Sequence, residues 1–413
     1  MIAHSGLGRQ QAVGSCRPGL ALSQARSMLD NMQDVTTDEQ LVQQAAERFA
    51  AERVAPGYQA REREGRIARS LIQEMGGLGL IAPEAPLELG GAGSSCYTTG
   101  LVIEAVAQAD INVSYVQLLG SLAVAILSAN AAPQLAREWV GAICSGERVV
   151  GLGLTEPHAG SDAARLKLRA VPCDGGYSLH GEKASISMAD QLDAAVVFAR
   201  TEDQLGARGI SAFLVPLTLP GISCSRYRDV GSAAVGRGSL FFDDVKIEES
   251  QRIGRSGEGF TQVMRGFDYS RALIGLQCIG AAWASLQETW RYVTERQAFG
   301  EPLSRFQAVA FALAEGETML TAARALCHRA LQLRDSGGAH TTEAAMCKWW
   351  APQVAFDVIH RCLLLHGHAG YSCELPHQQR LREVMGLQIG DGTAEIMKLI
   401  IARQKLGRTL VYP

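Results

Sequence analysis

The sequence predicts an α+β protein, mostly α, in which helices come first, a β-rich middle follows and a helical bundle closes the chain. Three observations predict it. Over residues 38–140 apolar residues recur at helical spacing, near Arg148 the texture turns to short alternating runs, and at Gly257 it turns back. In chain order, "EQLVQQAAERFAAERVAP" places Leu41, Ala45, Phe49 and Val54 near one face, and Pro56 is expected to close that helix. "LIQEMGGLGLIAPEAPLELGGAG" predicts a short helix and then a Gly/Pro-rich loop. A single apolar helical stretch is expected over 98–128. The runs "RVVGLGLT", "AAVVFART", "ISAFLVPL" and "RGSLFFDDVKI", with Gly, Pro and Asp between them, predict strands of an antiparallel sheet or barrel. Beyond Gly257, Val263, Phe267, Ile274, Cys278, Ala282, Leu286 and Trp290 recur as a long buried helix requires. Further helices are expected over 303–336, 341–366 and 393–406. The expected divisions are an extension over 1–33, a helical domain over 34–147, a β-domain over 148–256 and a helical bundle over 257–413.

Composition narrows the function. A chain of 413 residues that is 47% hydrophobic buries a large core, and a net charge of −3 builds no field to attract nucleic acid or an anionic membrane. No apolar run is expected to reach the length of a membrane span. The ten cysteines are scattered without a CxxC pair, as in a reduced intracellular protein. The first thirty residues hold three arginines and no acid before Asp30. That pattern resembles a transit peptide, although Met28 and Met32 also offer later starts. Residues 1–33 are expected to be disordered, and the protein cytoplasmic, or in the mitochondrial matrix if the extension is a transit peptide.

Motifs narrow it further. His366 and His368 in "HGHAG" lack a nearby third ligand and read as structural, so no metal site is expected. No GxSxG elbow, P-loop or dinucleotide GxGxxG occurs. "GLGLTEPHAGSD" has the wrong glycine spacing for a dinucleotide loop, yet Thr155, Ser161 and the amides of a Gly/Pro loop suit a flat heteroaromatic or a pyrophosphate. In "IGDGTAEI", Asp391 stands between two glycines just before a helix. The octapeptide leaves two roles open: capping that helix, or chemistry on a molecule that the missing Cβ atoms allow to come close.

Three stretches, "LTEPHAGSD", "ERQAFGEPLSRFQAVAFALAE" and "LLHGHAGYSCELPHQQRLREVMGLQIGDGTAEIMKLIIAR", together resemble the acyl-CoA dehydrogenase family, in its order and spacings and over nearly the whole chain after residue 38. The resemblance implies an N-terminal helical domain, a middle β-barrel-like domain and a C-terminal four-helix bundle, with FAD between the last two. It implies a homotetramer, an acyl-CoA substrate and an electron-transfer flavoprotein as acceptor. Position by position, it implies that Leu152, Leu154, Thr155 and Ser161 line the flavin and its phosphates, Ser161 also nearing the CoA moiety. Ser185, Ile186 and Ser187 match the segment against the flavin's dimethylbenzene edge. Arg296, Phe299, Gln307 and Gly367 match residues reaching a neighbour's FAD, and Thr393 and Glu395 match the segment beside the diphosphate and adenosine. Asp268 and Arg271 match substrate contacts, Gly390 and Gly392 flank the acyl group, and Asp391 matches the base that takes the α-proton. Burial beside an acyl chain is expected to raise its pKa.

Three departures bear on the substrate. Most relatives have Glu at the base position, and Asp withdraws the carboxylate by about 1.5 Å. Relatives that carry the base on the long helix would have it at position 270, which here is Ser270. Gly390 stands where many relatives have an aromatic residue, and Ser185 where a Trp is common. A short base in an opened pocket suits an acyl group branched at its α-carbon, such as a ring. "SISMAD" and "FDYSRALIGLQCIGAA" also resemble the alicyclic, cyclohexanecarboxyl-CoA branch. The alternatives are a nitroalkane oxidase-like flavoenzyme, against which Lys398 stands where Arg is expected, and a dehydrogenase of an acyl-carrier-protein substrate. A DNA-binding relative of the same fold is disfavoured by the net charge of −3.

Overall fold

The computed structural model describes residues 36–407 and Val411; the predicted extension over 1–33 lies outside them. Helix α1 (Thr37–Phe49) opens on a reciprocal cap, with the Glu39 carboxylate accepting from the Thr36 N–H and the Thr36 hydroxyl accepting from the Glu39 N–H. The expected stop at Pro56 is corrected. The helix widens into a π turn over Ala50–Val54, tightens into a 3₁₀ turn over Ala55–Gly57, and resumes as α2 (Tyr58–Glu64). Those two turns absorb the missing proline N–H and the clash of its ring, so the chain changes pitch instead of ending. Gly65, at φ 68°, ends it.

After α3 (Arg69–Gly77) come α4 (Cys96–Ala109), α5 (Ile111–Asn130) and α6 (Pro133–Cys144). The single stretch expected over 98–128 is broken at Asp110, whose extended backbone ends α4 while its carboxylate accepts from the Asn112 N–H at 2.8 Å and caps α5. Helix α5 also corrects the expectation about apolar runs: it is long and apolar enough to cross a membrane, but it lies 89% buried inside this fold.

The middle domain is a mixed sheet: β1 (Val150–Gly153), β2 (Arg169–Cys173), β3 (Gly176–Ser187), β4 (Ala194–Arg200), β5 (Ile210–Pro216), β6 (Ile222–Arg226), β7 (Arg237–Glu248) and β8 (Arg252–Ile253). Their order is β6-β7-β3-β2-β4-β5-β8, with β1 on β4. The sheet is not purely antiparallel as expected, because β1 and β2 both run parallel to β4. Leu179, Val197, Phe213, Val215, Leu240 and Phe242 fill its buried face. Register shifts between β3 and β7 at Leu179/Gly181 and Lys183/Ile186 bend β3.

Helix α7 (Gly259–Glu295) is the axis of the C-terminal domain, packed by α4 and α5 from the N-terminal domain and by α8 (Gln307–Asp335) and α9 (Thr341–Leu365). A Cβ at Gly280 would lie 2.5 Å from the Glu104 carbonyl oxygen, so a glycine is what lets α4 and α7 touch. A short hairpin of β9 (Gln297–Ala298) and β10 (Glu301–Pro302) links α7 to α8. Then α10 (His368–Tyr371), α11 (His377–Leu387) and α12 (Ala394–Leu406) follow, α11 and α12 lying on α9. This places the loop between α11 and α12 against both α7 and α9.

Candidate active site

The α11–α12 loop holds Asp391 in a conformation that its flanking glycines permit. Asp391 has φ 56°, a left-handed backbone that costs a side chain-bearing residue about 1–2 kcal/mol. Gly392 follows at φ 108°, and a Cβ there would sit 2.4 Å from the Met397 methyl carbon. At Gly390 a Cβ would meet nothing within 4 Å, so the space beside the carboxylate is open. Thr393, not Asp391, occupies the N-cap position of α12, which removes the capping alternative.

Two helices fix this loop. From α7, the Ser270 hydroxyl donates to Oδ2 of Asp391 at 2.8 Å, and Arg271 Nε donates to the Asp391 carbonyl at 3.3 Å. From α9, Lys348 Nζ donates to the Gly392 carbonyl at 3.1 Å. Oδ1 of Asp391 and the N–H groups of Asp391 and Gly392 make no hydrogen bond among the described residues. Burial pushes the Asp391 carboxyl above its ordinary value, against the Ser270 hydroxyl, Lys348 and Arg271, which favour the anion. Arg271 is itself buried and donates to Asp268 at 2.9 Å, while the Thr341 hydroxyl donates to the other Asp268 oxygen at 2.6 Å. Tyr115 of α5, which accepts from Arg237 at 3.1 Å, also lies within electrostatic reach of Asp391.

The other predicted residues fall into separate groups. Leu152, Leu154 and Thr155 run beside Ser185, Ile186 and Ser187, joined by the Ala184 N–H donating to the Thr155 carbonyl at 2.8 Å. Leu154 and Ile186 turn their side chains into the core, so only their backbones face outward chemistry. Ser185 has φ 58° on the irregular stretch of β3 and is exposed, as is Ser161. The hydroxyls of Thr155, Ser161 and Ser187 make no hydrogen bond among the described residues, a donor set that fits a flavin edge and its phosphates. Arg296, Phe299 and Gln307 sit on or beside the β9–β10 hairpin, all exposed. Gly367, at φ 59°, and Glu395 are exposed, and Thr393 is half-buried. His366 is buried, its Nδ1 against the Cys362 carbonyl and its ring stacked on Tyr292, while His368 is exposed.

Sequence reasoning missed Lys348. The one signal for it is a lysine on the α9 stripe of Ala344, Ala345, Ala351, Pro352 and Ala355, which is otherwise apolar and buried.

Similarity to known proteins covers the segments that carry these residues. Sequence models of the acyl-CoA dehydrogenase N-terminal, middle and C-terminal domains match residues 36–147, 151–245 and 257–406. The chain is 32% identical over 396 residues to the mitochondrial short-chain specific acyl-CoA dehydrogenase of Mus musculus, spanning 95% of this chain and 96% of that one. It is 32% identical over 385 residues to benzylmalonyl-CoA dehydrogenase of Aromatoleum aromaticum, spanning 90% and 98%. The butyryl-CoA dehydrogenase structure from Megasphaera elsdenii superposes with a TM-score of 0.88 at 28% identity, over 91% of this chain and 99% of that one.

Proposed function

This chain belongs to the acyl-CoA dehydrogenase family, and from that premise we propose that it dehydrogenates a ring-bearing acyl-CoA, cyclohexanecarboxyl-CoA being the type, with Asp391 as base. It is an FAD-dependent oxidoreductase of CH–CH bonds. The observation that carries the reading is the Asp391 carboxylate, held through Oδ2 by Ser270 with Oδ1 unengaged, beside the open space at Gly390.

Bound FAD supplies the acceptor for the β-hydrogen and its electron pair. Asp391 Oδ1 takes the α-proton, and Ser270 keeps the carboxylate from rotating away. Negative charge then develops on the thioester oxygen, and the unengaged N–H groups of Asp391 and Gly392 are the donors to meet it. Asp268 and Arg271, bonded to each other, brace α7 beneath the CoA-bearing part of the substrate. Thr155, Ser161, Ser185 and Ser187 offer hydroxyls to the cofactor, and Leu152, Leu154 and Ile186 offer backbone. Thr393 and Glu395 would hold its diphosphate and adenosine. In a homotetramer, Arg296, Phe299, Gln307 and Gly367 would contact the cofactor of a neighbouring copy. An electron-transfer flavoprotein is the proposed acceptor, a relative being named as the subunit of a complex with one.

Anaerobic mixing with cyclohexanecarboxyl-CoA and with a straight-chain acyl-CoA tests the substrate. Flavin bleaching is expected to be faster with the ring, and Gly390→Tyr is expected to shift selectivity toward the straight chain by ~10–200-fold, the usual range for a fitting against a clashing group. Equal losses on both substrates would remove the ring, and no bleaching by either would overturn the proposed substrate class.

A further inference from the structure

Lys348 is fully buried on the face of α9 turned toward α7 and the Asp391 loop. Burying an ammonium is costly unless an opposite charge and acceptors meet it. Its one hydrogen bond among the described residues is to the Gly392 carbonyl at 3.1 Å. The charged or titratable groups facing it are Asp391 from the loop and Cys278 and Arg271 from α7. Burial pushes the Cys278 thiol up to about 12, so that group is neutral, and Arg271 is paired with Asp268. Asp391 is therefore the anion that Lys348 answers, and each favours the charged form of the other.

We propose that Lys348 is a positioning residue for the reaction, clamping the loop through the Gly392 carbonyl and holding Asp391 as the anion. The inference rests on Asp391 being the base. The two contributions are separable, since an N–H donor can be kept while the charge is removed. Burial lowers the ammonium to about 8, so Lys348 remains charged at neutral pH.

Two variants separate them: Lys348→Gln keeps a donor without charge, and Lys348→Met removes both. In single-turnover flavin reduction across pH, the acid limb is expected to move upward in both. A move of about one pH unit lowers the rate about 10-fold on the acid side of the limb, the low end for losing one neighbouring opposite charge. The plateau itself is expected to fall only in Lys348→Met. Unmoved limbs in FAD-loaded variants would overturn the proposal.

A thermal readout needs no turnover. Because the folded state binds fewer protons at Lys348 than the unfolded chain, stability is expected to rise with pH above about 8. Asp391→Asn should start that rise at lower pH, and Lys348→Met should lack it; an unchanged onset in Asp391→Asn means that the two charges are uncoupled and the proposal fails. Asp391→Asn also keeps the two readings apart. If it reduces flavin at the wild-type rate, the base assignment falls and this inference with it. If it is inactive while both Lys348 variants keep the wild-type limb, only this inference falls.

Discussion

Asp391 carries its carboxylate on a left-handed backbone, and burial there sets its pH behaviour. Burial raises its carboxyl, so its anion, and with it turnover, is lost as pH falls through a value above the ordinary carboxylate range. Ser270 opposes that shift by donating to Oδ2. Ser270→Ala is therefore expected to move the acid limb of the rate profile to higher pH while FAD stays bound; an unmoved limb would mean that the hydroxyl does not orient the base. Asp391→Asn is expected to keep fold and FAD and to reduce flavin at least ~100-fold more slowly, the low end of what a positioned base supplies. A wild-type rate in stopped flow would overturn the base. The two glycines beside Asp391 were legible as a backbone that a second molecule can approach, while its role as base came from the family resemblance and is a proposal. The parts of Ser270 and Lys348 were not legible. Ser270 lies 121 residues from Asp391, and neither a serine in a helix nor a lysine in an apolar stripe declares its partner until α7 and α9 pack.

At the scale of elements, periodicity found what buries one face and lost what does not. The four predicted strands lie where β1, β4, β5 and β7 form, and β4 and β5 are buried along almost their full length. Strands β2, β3 and β6 escaped it: β6 is largely exposed, and β3 changes face at its bulges. The α4–α5 break escaped for another reason. Both helices are buried nearly all round, so apolar residues run through Asp110 without a change of pattern, and one carboxylate does the breaking. That carboxylate also meets the buried Arg61 at 2.6 Å. Asp110→Ala loses the cap and leaves a guanidinium unpaired, an expected loss of about 3–5 kcal/mol by chemical denaturation. Asp110→Asn keeps a capping side chain but not the charge, so it should lose nearly as much. An Asn variant close to wild type would show that capping, not charge, holds this junction.

At the scale of the whole molecule, the order of helical, β and helical domains was legible because each texture spans a hundred residues or so, whereas the surfaces that demand a partner were not. Periodicity reports which residues leave water on folding, not which remain exposed until a second copy arrives. Phe299 is 96% exposed at the tip of the β9–β10 hairpin, where it and Gly300 both have positive φ, and Phe311, 60% exposed, lies on α8 just beyond. Large apolar side chains held out this way are expected to be covered by a neighbouring subunit. In the proposed tetramer the hairpin also reaches a neighbour's cofactor, so losing the assembly should cost FAD as well, whereas losing the hairpin contact alone should cost FAD without the assembly. Phe311→Glu is expected to weaken assembly first, giving smaller species in light scattering whose FAD is lost on dilution. Phe299→Ala removes the exposed ring while leaving α8 intact, so it should keep the assembled mass and still release FAD more readily. If both variants remain assembled and yellow after extensive dialysis, the hairpin and α8 face are ordinary surface, and the neighbour's cofactor is not within their reach.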